Sequence, residues 1–226
     1  MKNVLIRQLT QLFILMLPLM AGCTALLSKQ PQQTTYYSLE RAQSKPQTDQ
    51  PSINTNYRLP TLIINIPKAA AGFDTQRMMY TRARHQLEYF ARNEWIDTPA
   101  QMLQPLMISA IEKTGAFNAV LAKQSVVASD LRLESEVIKL VQNFNTKPSH
   151  VQFTLRATMI DSVTNKVIAL REFDERVDAK SDNPIGGVLA ANVAVNLALS
   201  KLSVFSSQTA INWAQSKADL QKNYVN

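Results

Sequence analysis

The chain has 226 residues, 46% of them hydrophobic, with 24 Lys and Arg against 17 Asp and Glu and a single cysteine. One cysteine excludes an intrachain disulfide and a thiolate metal cluster, and five glycines are too few for elaborate backbone-lined phosphate sites. A formal net charge of +7 would in a cytosolic protein point to nucleic acid, a reading that the N-terminal segment redirects.

Lys2 and Arg7 form a basic start, Leu12 to Met20 reads LFILMLPLM, and the segment closes on Met20-Ala21-Gly22-Cys23. A basic start, a short apolar run and small residues before a cleavage point describe a secretory signal peptide over residues 1–22. The lone cysteine directly after Ala-Gly resembles a lipobox, whose thiol accepts diacylglycerol before the leader is removed, so Cys23 is the expected lipidation site and palmitate a candidate acyl group. Met20 stands where such motifs more usually have leucine. The alternative is an N-terminal transmembrane helix. That needs about 20 apolar residues, and Arg7, Gln8, Thr10 and Gln11 interrupt the stretch. Several acyl chains, at about 0.8 kcal/mol per buried CH₂, make a durable anchor. Thr24 rather than aspartate follows the cysteine, which in a Gram-negative envelope favours the outer membrane.

Loss of residues 1–22 leaves 204 residues and, with Lys2 and Arg7 gone, a charge of about +5. That length supports one domain with a real core. In the periplasm a mildly basic surface suits anionic lipid head groups, lipopolysaccharide phosphates or an acidic partner protein, with a plain solvated surface as the other reading. No nucleic acid is expected.

Residues 23–35 form the lipidated cysteine and a polar tether, and Tyr36-Tyr37-Ser38-Leu39 a short strand that opens the domain proper, residues 36–215. Glu40 to Asn56 is polar and aperiodic. Leu59 to Ile66 reads as a strand stopped by Pro67, and Met78–Tyr80 and Leu87–Ala91 as two antiparallel arms around Arg82, Arg84 and His85. Thr98-Pro99-Ala100-Gln101 gives an N-cap, a proline at the first helical position and a capping-box glutamine. Met102, Leu103, Leu106, Met107, Ala110 and Ile111 then share one helical face, and Gly115 suits the left-handed residue past its end. Phe117 to Leu121 is a further strand. Leu131 to Val141 is a long strand whose apolar parity switches near Val137-Ile138, the mark of a bulge. Val151, Phe153, Leu155, Ala157 and Met159 alternate with polar residues, and Thr164-Asn165-Lys166 turns the chain into Val167–Val177, completing a meander with one polar face. Residues 183–200 carry no charge, and from Pro184 or Val188 onward read as a core helix packed across the sheet. Asn192, Asn196 and Ser200 make a polar stripe at spacing four, and a partner-facing groove or oligomer interface is the sharper reading of this stretch. Beyond Phe205 the chain is polar and expected to be less ordered, although Ile211 and Trp213 could extend the helix, with 216–226 as a tail. The pattern defines an α/β (α+β) fold, an antiparallel sheet with helices packed mainly on one face in a single domain.

Catalytic and metal signatures are sparse. His85 and His150 lie far apart near expected turns and read as solvent-exposed, so no metal site or cofactor is expected. There is no nucleophile elbow. Glu134/Glu136 and Asp174/Glu175 read as solvated strand faces, and the chain is expected not to be an enzyme. Arg77, Tyr80, Arg82, Arg84, Tyr89, Arg92 and Trp95 interleave cations with aromatics, either as arginines covering apolar neighbours or as a docking surface.

The order of lipobox, Tyr36-Tyr37-Ser38-Leu39 and Leu62-Ile63-Ile64 resembles the ABC-type transport auxiliary lipoproteins, the PqiC-like group. Tyr80 to Ala100 (YTRARHQLEYFARNEWIDTPA) is the most specific match, joined by Gly115-Ala116-Phe117, Val120, Ser129-Asp130-Leu131 and Asp182-Asn183-Pro184. The resemblance covers roughly residues 23–205. It implies a non-enzymatic accessory of an ABC/MCE-type intermembrane lipid transport system. The implied partners are an MCE-domain protein and inner-membrane ABC or membrane-subunit components, with a homo-oligomeric ring as a further possibility. A structural lipoprotein that stabilises an outer-membrane complex without contacting cargo is the alternative.

Overall fold

The computed structural model describes residues 33–41, 58–123 and 128–225; Cys23, the leader and most of the tether lie outside the described residues. In chain order the elements are β1 (Thr35–Tyr37), β2 (Thr61–Ile64), β3 (Lys68–Ala69), β4 (Arg77–Thr81), β5 (Glu88–Trp95), α1 (Pro99–Glu112), β6 (Ala119–Ala122), β7 (Leu131–Asn143), β8 (His150–Asp161), β9 (Val167–Asp178) and α2 (Pro184–Val225).

The nine strands form one sheet organised on β7. Along one edge β7 pairs antiparallel with β8 over its full length, and β8 pairs antiparallel with β9, which is the expected meander. The register shifts between Val137 and Lys139, where the apolar parity switches, so Leu131, Leu133 and Val137 before the bulge and Leu140 after it all enter the core. The other edge of β7 is shared end to end by β2, β3 and β4, all parallel to it. Parallel pairing also joins β2 to β6 and β1 to β5. The α+β class therefore holds, with a mixed sheet in place of a wholly antiparallel one. Each of the short strands is too brief for its pattern to disclose direction.

Both helices lie on one face. Ser135 of β7 points at α1, where its hydroxyl reaches Met107 Sδ, and Phe173 of β9 meets Phe205 of α2 edge-on at 5.9 Å between ring centroids. The opposite face carries a charge ladder in which Arg156 bridges Glu136 and Glu172. Glu175 corrects the expectation of a solvated face. It is buried on the helix side and paired with Lys201 at 2.6 Å, because the bulge and register put odd-numbered β9 residues inward. His150 is likewise buried rather than exposed, its Nδ1 3.0 Å from Thr146 Oγ1. Burial and the nearby Arg176 lower its pKa, against the pull of Asp178. His85 is exposed, at φ 64° in the β4–β5 turn.

Helix α1 starts at the expected cap: Gln101 N–H donates to Thr98 Oγ1, Pro99 occupies the first turn, and Gly115 takes φ +66° beyond the end. The Thr98 N–H that a capping-box glutamine would take donates to Asp97 Oδ1 instead. Leu103, Met107 and Ile111 are fully buried, while Met102, Leu106 and Ala110 flank them half-buried. Helix α2 overturns the expected loss of order after Phe205. It runs 42 residues, about 63 Å at 1.5 Å per residue. Part of it is long and apolar enough to cross a bilayer by length and composition, yet half of that part is buried within the protein, as befits a helix roofing its own sheet. Its start explains Gly186-Gly187: a Cβ on Gly186 would fall 2.0 Å from Ser181 O, and one on Gly187 2.1 Å from Gln142 Oε1. A side chain at Gly186 would collide with the Ser181 backbone, and one at Gly187 would displace the end of the Gln142 side chain.

Asp161, at the end of β8, fastens the far part of α2. Its carboxylate accepts from the Val163 and Thr164 N–H groups and from Trp213 Nε1 at 2.9 Å, with Lys217 Nζ at 3.3 Å. Burial alone would raise its pKa, but these donors hold it well below the usual carboxylate range. A carboxyl depressed in the folded state stabilises above its unfolded pKa of about 3.9 and loses that contribution as pH falls below it. Asp161→Asn should therefore lower the unfolding midpoint at neutral pH, with the gap to wild type closing as the medium is acidified below about pH 4; a gap independent of pH would refute this.

In α1, Thr98→Ala should cost about 1 kcal/mol and Leu103→Ala about 2–5 kcal/mol in chemical denaturation. Equal and negligible losses would mean that this helix is not held by its cap and buried face.

Candidate functional site

Two surfaces merit attention, and they were the two that the sequence singled out. The β4–β5 hairpin gathers its cations and rings into self-contained pairs. Arg77 lies 4.1 Å over the Tyr89 ring, and Arg82 sits over Tyr80 while forming an ion pair with Glu88, which also accepts from Tyr80 OH at 3.0 Å. The Arg82 guanidinium holds the Glu88 carboxyl below its ordinary range. Tyr80, Phe90 and Phe144 stack at 4.5–6.3 Å between centroids. Trp95 leaves the group altogether and is buried in the core. What the hairpin offers outward is its turn, with Arg84, His85 and Leu87 exposed.

The second surface lies on α2. Ile185, Leu189, Val193 and Leu197 recur every fourth residue and are 44–56% exposed, so the buried stripe of this helix is matched by an uncovered apolar one. Tyr36 of β1, 55% exposed, borders it, and Tyr36, Leu189 and Val193 line one shallow groove.

Beside this groove the polar stripe has a definite task. Asn192 Nδ2 donates to Ser38 O at 3.2 Å and Asn192 Oδ1 accepts from Glu40 N–H at 2.6 Å, while Asn196 Nδ2 donates to Glu40 O at 3.0 Å. The Asn192 carboxamide thus does for Ser38–Glu40 what a neighbouring strand would do, bonding the carbonyl and the N–H on either side of the buried Leu39. The segment that leads from the tether is clamped to α2 where β1 leaves the sheet. Sequence spacing disclosed the stripe but not its partner, which lies more than 150 positions away.

No group of three or more His, Cys, Asp or Glu side chains that could hold a metal exists among the described residues. The described geometry is an exposed apolar row on α2 beside a carboxamide clamp on Ser38–Glu40.

The family model for the ABC-type transport auxiliary lipoprotein component matches residues 37–202, and the chain belongs to that family. The fold is similar to the crystal structure of protein XCC0632 from Xanthomonas campestris, at a TM-score of 0.68 and 19% identity, over 80% of this chain and 99% of that one. A crystal structure of an uncharacterized protein is also similar, with a TM-score of 0.60 and 12% identity over 76% of this chain and 97% of that one. No curated protein matches in sequence.

The clamp can be tested by itself. Asn192→Ala should expose the Glu40 amide and raise its hydrogen-exchange rate by about tenfold or more, the loss of one net hydrogen bond of about 1.4 kcal/mol, with β7 and β8 amides unchanged. Unaltered exchange at Glu40 would show that Asn192 does not hold the segment.

Proposed function

We propose that this protein is a periplasmic lipoprotein, lipidated at Cys23 and held at the outer membrane, that serves as a non-enzymatic accessory of an ABC/MCE-type intermembrane lipid transport system. The observation that carries the reading is the uncovered apolar stripe of α2, in a chain whose family is an auxiliary component of ABC-type transport. A monomeric soluble domain rarely leaves such a row open without a partner.

The partner assigned to the stripe is the MCE-domain protein of the system. The stretch from Asn183 to Ser200 contains no charge, so recognition here rests on apolar burial rather than on ion pairs. An apolar contact of this kind keeps its strength as ionic strength rises, whereas a contact led by Arg84 of the hairpin would be screened. The inner-membrane ABC or membrane-subunit components join through that protein.

The test is capture of the MCE-domain protein by the full-length lipoprotein from envelopes, at low and high salt. Cys23→Ala should abolish lipid labelling and membrane retention yet leave capture intact, because recognition belongs to the folded domain. Val193→Asp should reduce capture about tenfold or more, the size expected for an anchor residue at the centre of an interface, and wild-type capture should persist at high salt. Capture that survives Val193→Asp, or that disappears at high salt, would remove the stripe from the contact; no capture under either condition would remove the MCE partner.

A further inference from the structure

Strand β1 pairs parallel with β5, Thr35 opposite Asn93 and Tyr37 opposite Trp95. Its first residue is therefore the one nearer the end of the sheet that carries the β4–β5 turn. Three loops meet there. The β4–β5 turn adjoins the β7–β8 turn through Phe144 N–H to Thr81 O at 2.8 Å, and the β7–β8 turn adjoins the β9–α2 loop through Ser149 N–H to Asp182 Oδ1 and Ala179 N–H to Ser149 O, both 2.7 Å. These loops carry Arg82, already paired with Glu88, and three further cations, Arg84, Lys147 and Lys180, against one carboxylate within the loops, Asp182, which accepts from the Ser149 N–H. Two large apolar side chains project beside them, Leu87 at 44% exposure and Ile185, on the first turn of α2, at 56%.

We infer that this end of the sheet docks directly on a lipid leaflet bearing anionic head groups, with Leu87 and Ile185 entering the interfacial region and Arg84, Lys147 and Lys180 meeting the head-group phosphates. The inference rests on the lipidation of Cys23 proposed above. Eleven residues lie between Cys23 and Thr35, a leash that spans at most about 40 Å, so the anchor keeps the domain within reach of the bilayer. Apolar tips surrounded by cations are the composition that binds an anionic membrane interface. The docked end is distinct from the middle of the α2 stripe, so membrane contact leaves Val193 and Leu197 available to a protein partner.

The test uses the full-length lipoprotein reconstituted into vesicles of phosphatidylethanolamine with phosphatidylglycerol. With Cys23 acylated, an introduced cysteine is the only free thiol and takes a nitrobenzoxadiazole label. Leu87→Cys and Ile185→Cys report on the docked end. Val163→Cys, in the β8–β9 turn beside the Asp161 that binds Trp213, reports from about 40 Å farther along α2 than Ile185. All three positions are exposed, so each variant should fold. Nitroxide-bearing lipids should quench the label at 87 and 185 several-fold more than at 163, and replacing phosphatidylglycerol by phosphatidylcholine or adding salt should weaken that difference. Equal quenching at all three positions, or none at 87 and 185 while the protein stays on the vesicles, overturns the docking. A blue shift at 87 and 185 without lipid quenching identifies a second copy as the occupant and also overturns it. Wild-type protein that accepts label on Cys23 overturns the lipid anchor itself, and the docking with it, an outcome readily told from the others.

Discussion

A strand of thirteen residues at the centre of a sheet must find partners for its backbone groups along both edges, and β7 satisfies that demand unequally. One edge is met by a single long neighbour, β8. The other is met in relay by β2, β3 and β4. β2, β3 and β4 supply that edge in order and all run parallel to β7. Because they lie end to end along one edge, no reversal is needed between them: residues 65–67 bridge β2 to β3, and the chain loops out through Gly72 before it comes back as β4. The β4–β5 hairpin is the overhang left when β4 finishes beside Asn143.

The second constraint is the seating of α2. Small side chains at Ala191, Ala194 and Ala198 are buried with Val195, Leu199 and Leu202, and Gly186-Gly187 permits the helix to begin against Gln142 and Ser181. Two buried carboxylates then fix its length. Glu175 pairs with Lys201 in the middle, and Asp161 receives Trp213 and Lys217 near the far part. Buried charges of this sort are costly unless paired, so both acids favour the one position of α2 that supplies their partners. With the inner side of the helix committed in this way, Ile185, Leu189, Val193 and Leu197 remain outside, and the carboxamides of Asn192 and Asn196 clamp the incoming chain beside them. The clamp and the exposed apolar row therefore share the first half of one helix.

Ser38–Glu40 is bonded to the same helix that exposes the apolar row, so the clamp and the row share one support. The outer face of the sheet carries charge instead, with Arg156 between Glu136 and Glu172.

The sequence by itself determined the elements whose signals are local. The capped start of α1, its buried Leu103, Met107 and Ile111, the left-handed Gly115, the bulge after Val137 and the alternating meander of β7 to β9 all follow from spacings within a few residues, where capping bonds and a two-residue side-chain period act directly. The α+β class and the family resemblance were legible for the same reason. Only the tertiary structure decided what depends on residues far apart in the chain. The parallel direction of β2, β3 and β4 is set by what β7 lacks, and strands of two to five residues carry no mark of it. Burial of His150 and Glu175 depends on register and on which helix lies above. Lys217 looks like part of a polar tail until Asp161, some fifty positions earlier, gives the helix a reason to continue past Trp213. The Asn192–Asn196 stripe was visible as a pattern, but its meaning required Ser38 and Glu40 to arrive beside it, because a carboxamide has a role only when the fold delivers the backbone groups it is to bond.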